Sequence, residues 1–256
     1  MDQTLAPNAD AEAVYQATAP VYDRLTEHHD YELWIGNLLP ALKARGLAST
    51  GRLLDVACGT GKSYIPMLER GWEVTGVDIS DGMLEWARGK TPGVRLEPAD
   101  MRELPELGSF DLVWCLDDAL NYLLEPEELG LAFEGFRRNL AGAGLVAFDF
   151  NAVGAYRWFW ADESVVEGDP PLTWTGLAGE GFEPGEIAEA VLAYDGETVV
   201  HRQRHHPHEV VAEQLALAGL ELLDVYGIKT DAVLRQPLDE TEHTKAIYVA
   251  AKGTRR

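Results

Sequence analysis

Two carboxylates flanking a run of small residues hold the clearest chemical signal in this sequence. Arg52-Leu53-Leu54-Asp55-Val56-Ala57-Cys58-Gly59-Thr60-Gly61-Lys62-Ser63 is an apolar run that ends in an acid and then breaks into a glycine turn. Tyr64 to Arg70, just beyond, reads as a helix. A strand, a tight turn and a helix N-terminus leave free backbone N–H groups facing whatever binds there. A second predicted strand, Trp72-Glu73-Val74-Thr75-Gly76-Val77, ends in Asp78. An acid about 20 residues past such a turn is placed to accept from the hydroxyls of a ribose. The implied chemistry is recognition of a nucleoside-like ligand by backbone amides and carboxylates.

Three readings of the turn compete. A dinucleotide site wants G-x-G-x-x-G, but the third glycine position is Tyr64, where close helix–strand packing leaves no room for a side chain. A P-loop NTPase is imitated by Gly59-Thr60-Gly61-Lys62-Ser63, and Val113-Trp114-Cys115-Leu116-Asp117-Asp118 downstream imitates a magnesium-holding strand. The opening glycine of that loop falls at Val56, a β-branched residue poorly suited to a phosphate cradle. The third reading accounts for both acids. Asp55-Val56-Ala57-Cys58-Gly59-Thr60-Gly61 followed by Val77-Asp78-Ile79-Ser80 closely resembles the class I S-adenosylmethionine (SAM) methyltransferases.

That resemblance implies SAM as cofactor, held by Asp55, Ala57, Gly59, Gly61, Asp78, Ile79, Met83, Asp100, Met101 and Leu116. Asp55 would suit the ammonium, Asp78 the ribose diol and Asp100 the adenine amino group, with Met101 packing on the ring. Tyr15, Tyr22 and Trp34 match the helical lid that closes over the cofactor in glycine and amino-sugar N-methyltransferases. Cys115-Leu116-Asp117-Asp118-Ala119-Leu120-Asn121-Tyr122 resembles the stretch beside the transferred methyl in small-molecule N-methyltransferases. Tyr122, Asp118 and His205 are the expected catalytic residues, and Asp117, Asn121, Trp158, Trp160 and His201 the expected substrate contacts. The N/D-P-P-Y/F signature of nucleobase and protein-amide N-methyltransferases is absent, which implies a small acceptor.

The elements that position these residues follow from periodicity. Strands are expected at 52–57, 73–78, 93–97, 110–116 and 143–150, alternating with helices at 63–70, 80–89 and 125–140. The resemblance implies two final strands at 221–228 and 245–252 that close the sheet as an antiparallel hairpin, so the expected fold class is α/β, a doubly wound and mostly parallel seven-stranded sheet. Residues 1–48 form an N-terminal helical lid, 49–150 the Rossmann-like SAM-binding core, 151–206 an antiparallel β insert covering the substrate, and 207–256 a helix and hairpin completing the core. Asp195-Gly196 is expected to turn a hairpin within the insert. Met83 is expected to face back towards the end of the second strand.

Composition narrows the function classes. The 256 residues carry 43 acidic and 21 basic side chains, a formal charge of −22. A nucleic-acid surface needs clustered Lys and Arg, which are absent, and an anionic membrane is disfavoured for the same reason. Cys58 and Cys115 fall in predicted core strands and fit a reduced compartment. No apolar stretch reaches membrane-spanning length, and Asp2, Asp10 and Glu12 replace a basic-apolar leader, so the expected location is cytoplasmic. The histidines at 201, 205, 206 and 208 suggest a metal, yet strand alternation sends 205 and 206 to opposite faces, and no metal is expected. A single pocket histidine acting as base or orienter fits better. The expected function is SAM-dependent methylation of a small molecule, with an amine nitrogen favoured over a hydroxyl. O-methylation, a P-loop NTPase and a non-catalytic SAM-binding module are the alternatives. Homo-oligomerisation is left open.

Overall fold

The computed structural model describes residues 9–253. Residues 1–8 of the expected lid and 254–256 of the expected C-terminal unit lie outside the described residues. The glycine turn follows strand β1 (Arg52–Val56). Strands β2 (Glu73–Asp78) and β3 (Arg95–Pro98) lie to one side of β1, with β4 (Phe110–Cys115) and β5 (Leu140–Asn151) to the other, all parallel. The chain then leaves the sheet to build a separate antiparallel meander of β6 (Glu163–Val166), β7 (Leu172–Gly176), β8 (Ile187–Tyr194) and β9 (Glu197–Arg204). It returns through β10 (Leu220–Ile228) and β11 (Lys245–Lys252). The order β10-β11-β5-β4-β1-β2-β3 makes this the class I methyltransferase fold, in which β11 alone runs antiparallel to its neighbours. Strand order reverses at β1, so the crevice beyond the ends of β1 and β4 is where a ligand can enter.

Helices cover both faces of the large sheet. Helices α3 (Tyr31–Ala44), α4 (Ile65–Glu69) and α5 (Asp81–Lys90) pack Ile35, Leu38, Met67 and Leu84 against Trp114 on one face. On the other, α6 (Pro126–Asn139) and α8 (His208–Leu217) pack Phe133, Phe136 and Leu215 against Phe148 and Tyr248. Each such side chain contributes about 1.5–3 kcal/mol on burial. Local chemistry sets the helix starts. Ser80 accepts from the Met83 amide at 3.2 Å, Asp30 from the Leu33 amide at 2.9 Å, and Glu125 with Glu128 forms a reciprocal box ahead of α6. The first core helix is shorter than expected, because residues 63 and 64 are used in leaving the glycine turn.

Two short helices, α1 (Ala9–Thr18) and α2 (Tyr22–Leu25), lie over the sheet's crevice. Val14 and Val21 share a third apolar cluster with Trp160, Trp174 and Leu192, so lid and meander are packed as one body. Helix α7 (Val153–Trp158) links β5 to the meander. At the β8–β9 turn, Asp195 and Gly196 both take positive φ, 48° and 80°, which matches the right-handed twist of a two-residue hairpin. Among the described residues no helix is long and apolar enough to cross a membrane.

Candidate active site

The glycine turn bends back under β2. Ala57, Gly59 and Gly61 all take positive φ, at 59°, 53° and 92°. A Cβ on Gly61 would come within 2.7 Å of the Tyr64 hydroxyl, which is itself held by Thr91, so no side chain fits there. Asp78 ties the turn to the next strand. One oxygen accepts from the Gly59 amide at 2.8 Å and the other from the Ser80 amide at 2.9 Å. Burial pushes the Asp78 carboxyl up to about 6.

A cleft of about 710 Å³, counted to its open mouth, runs along these strand ends. Ala57, Gly59, Asp78 and Ile79 line it from the first two strands, and Asp100, Met101 and Leu116 from the next two. Tyr15 and Tyr22 close it from the lid. Burial raises the Asp100 carboxyl, but Arg102 beside it reverses the shift and holds it low. Arg102 is itself shared between Asp100 and Glu128. This donor set fits a nucleoside carrying a cation: carboxylates for hydroxyls and amines, apolar faces for a ring, and no free guanidinium for phosphate. Lys62, the lysine of the P-loop imitation, does not line the cleft; its Nζ donates to the Thr26 carbonyl at 2.5 Å.

Four expected cofactor contacts, Asp55, Gly61, Met83 and Trp34, do not line this cleft. Asp55 is wholly buried beneath the turn, where it accepts from the Ser63 hydroxyl at 2.5 Å. Burial pushes its carboxyl up to about 7, so it braces the turn rather than facing a ligand. Gly61 shapes the turn without lining the cleft. Met83 is fully buried. Trp34 belongs to a second cavity.

That second cavity holds about 1470 Å³ counted to its mouth and lies between the lid, the end of the sheet and the meander. Tyr15, Tyr22, Asp117 and Tyr122 line both cavities, so the two meet there. Asp118, Trp158, Trp160 and His201 line the second. The Tyr122 hydroxyl and His201 Nδ1 are 2.7 Å apart, and burial holds His201 down at about 4. The ring is therefore neutral at physiological pH.

His205 and Asn121 do not reach either cavity. β9 ends at Arg204, so alternation stops before His205, whose amide turns to the Glu186 carbonyl. Its Nδ1 accepts from the Gly185 amide at 3.2 Å and its Nε2 lies 3.4 Å from Glu240. Asn121 is a buried strut, donating to the Arg204 carbonyl at 2.7 Å and accepting from the Asn151 amide at 2.9 Å.

The floor where the cavities meet contains residues with no local sequence signal. Asp117 and Asp118 follow β4 with φ of 69° and 55°, a left-handed pair costing roughly 1–2 kcal/mol per residue for a side chain with a Cβ. Asp149, inside β5, holds that bend by accepting both their amides, at 2.6 and 3.0 Å. Lys245 Nζ stands 3.2, 2.6 and 2.9 Å from Asp117, Asp118 and Asp149. From the lid, His29 Nδ1 at 3.0 Å and the Tyr31 hydroxyl at 2.7 Å reach the same Asp117 oxygen. Burial raises all three carboxyls, but at Asp117 His29 and Lys245 outweigh it and hold the group well below its usual range. Asp118 stays raised, and Asp149 is pushed up to about 6. Burial lowers Lys245, yet the three acids outweigh it and keep the ammonium charged. The Asp149 signal was an acid inside an apolar run; Lys245 and His29 had none. Among the described residues no group of three His, Cys, Asp or Glu side chains could hold a metal ion.

Known proteins resemble this chain in sequence and in fold. The family model described as "Methyltransferase domain" matches residues 53–144. The chain is similar to the "Putative methyltransferase YqeM" of Bacillus subtilis (strain 168), 32% identical over 230 residues, covering 85% of this chain and 91% of that protein. It is 31% identical over 149 residues to the dTDP-3-amino-3,4,6-trideoxy-alpha-D-glucopyranose N,N-dimethyltransferase of Streptomyces venezuelae, covering 56% of this chain and 62% of that one. The crystal structure of a S-adenosylmethionine-dependent methyltransferase from Clostridium acetobutylicum ATCC 824 superposes with a TM-score of 0.73 at 22% identity, over 94% of this chain and 99% of that chain.

Proposed function

The chain belongs to the SAM-dependent methyltransferases, and we propose that it methylates a small molecule on an amine nitrogen. The observation that carries this reading is the floor where the two cavities meet, where the carboxylates of Asp117, Asp118 and Asp149 outnumber the cations facing them, Lys245 and His29. A cationic nitrogen is drawn to that position, and the aromatic faces around it attract positive charge as well. The bound cofactor supplies a methyl group already activated on a sulfonium. What remains for the protein is alignment and exclusion of water. Tyr15 and Tyr122, with ring centres 5.1 Å apart, narrow the passage between the cavities. His201 fixes the Tyr122 hydroxyl from behind.

A phenol or alcohol acceptor would need a strong base to remove its proton. The histidine paired with Tyr122 is held at about 4, which makes it a weak one. An amine needs only its own free base, so the weak histidine favours nitrogen. The formal charge of −22 supports a small acceptor over a nucleic acid.

The test is an acceptor panel of amines and matched phenols, read as S-adenosylhomocysteine release from pH 6 to 9. Amines should turn over, with the rate rising with pH towards each amine's own pKa. Turnover of phenols with no amine methylated at any pH would replace this reading by O-methylation. SAM binding with no turnover of either set would leave a binding module.

A further inference from the structure

We infer that the acceptor is an amine carrying an aromatic or bulky apolar body, its nitrogen at Asp117 and its body against Trp158 and Leu33 at the chamber mouth. This deepens the amine reading above and rests on it. Three observations carry it beyond that reading. The first is size. The chamber's interior, about 350 Å³ before its open mouth is counted, is more than a glycine-sized amine fills, and sites of this kind bury most of their ligand's surface. The second is the mouth itself. Trp158 is 55% exposed and Leu33 47% exposed, yet both line the chamber, and Val233 at 45% adjoins Ala232, which also lines it. Large apolar side chains gathered at a cavity rim mark where a ligand covers them.

The third observation is the state of the chamber's cations. A nucleotide-linked sugar would bring two phosphates, and an amino acid a carboxylate, each needing an available positive charge. Lys245 is already surrounded by Asp117, Asp118 and Asp149. Lys229 is half exposed and pairs with Glu242 at 3.2 Å at the chamber's outer edge, and His28, also in the lining, is disfavoured as a cation by burial. His29 is engaged by Asp117 at 3.0 Å. The chamber thus offers acids and ring faces at its floor and apolar surface at its rim.

The experiment is calorimetry on the full chain saturated with S-adenosylhomocysteine, using phenethylamine, phenethyl alcohol, ethanolamine and dTDP as probes. Phenethylamine should bind at least about tenfold more tightly than the uncharged alcohol or the polar amine, and dTDP should show no measurable binding. Trp158→Ala removes an exposed side chain and should weaken phenethylamine by about fivefold to tenfold while S-adenosylhomocysteine affinity stays unchanged. Equal or tighter binding of dTDP or ethanolamine overturns the inference, and so does an unchanged phenethylamine affinity in Trp158→Ala. The two readings fail differently. If phenethylamine binds as expected but only phenols are methylated, the nitrogen assignment falls and the apolar-body inference stands. If ethanolamine is methylated while phenethylamine is neither bound nor methylated, the reverse holds.

Discussion

The Asp78 carboxylate receives the Gly59 amide on one oxygen and the Ser80 amide on the other. Its side chain therefore shapes the glycine turn as well as facing the cleft. Asp78→Ala leaves two amide donors without acceptors and should cost about 1–3 kcal/mol of stability, together with a tenfold to hundredfold loss in SAM affinity. Asp78→Asn keeps one acceptor oxygen and should lose the affinity while retaining most of the stability. Denaturant midpoints and calorimetry on both variants separate the two roles; equal SAM affinity in all three proteins would place the ribose elsewhere. The same carboxyl sets a pH dependence. Burial holds it at about 6 in the ligand-free protein, and ribose hydroxyls donate best to the ionised form. SAM affinity should thus be level above pH 7 and weaken several-fold as pH falls through 6 to 5. Asp78→Asn should flatten that slope in the same titration. Asp78 was legible because it ends an apolar strand at a fixed separation from the glycine turn. Lys245 and His29 were not, since a lone lysine or histidine carries no mark of the carboxylate that will face it 128 or 88 residues away in the chain.

Helix α1 is fastened near its C-terminal end, to the start of α5 on one side and to the meander on the other. Gln16 Oε1 accepts from the Ser80 hydroxyl at 3.1 Å and the Gly82 amide at 2.9 Å, and the Ala17 carbonyl accepts from the Tyr194 hydroxyl on the meander. A Cβ on Gly82 would lie 2.7 Å from Gln16 Nε2, the flexible end of that side chain, so Gly82→Ala should push the glutamine aside. Alanine is favoured over glycine within a helix by up to about 1 kcal/mol. Gly82→Ala should therefore speed S-adenosylhomocysteine release about threefold to tenfold while leaving stability equal or higher. Stopped-flow release beside a thermal melt checks this; a slower off-rate would mean the latch does not gate the cleft. Sequence periodicity located the parallel strands to within a few residues because most of them carry a buried apolar stretch between turn-forming segments. It missed β6, whose Glu163-Ser164-Val165-Val166 is mostly exposed at the edge of the meander. It also favoured His205 over His201 as the catalytic histidine, whereas His201 lines the chamber beside Tyr122; that choice depends on where β9 stops.

At the scale of the molecule, the cofactor cleft is walled by the lid and the sheet, so an occupant should stabilise them together. S-adenosylhomocysteine at about a hundredfold excess over its Kd should raise Tm by roughly 5–10 °C, while ATP with Mg²⁺ at equal concentration should leave it unchanged. A melt series with both ligands decides this, and a larger rise with Mg-ATP would contradict the assigned cofactor. The cleft is lined by residues from Ala11 to Leu123, whereas the chamber beside it draws on residues out to Lys245. During synthesis a chain emerges in that order. The last residue of the cleft thus emerges well before the lysine of the chamber floor, although the lid over the cleft is itself held by the later meander. Until β11 threads between β10 and β5, Asp117, Asp118 and Asp149 stand together without the lysine that makes their crowding tolerable. Arrival of that strand completes the floor shared by the two cavities.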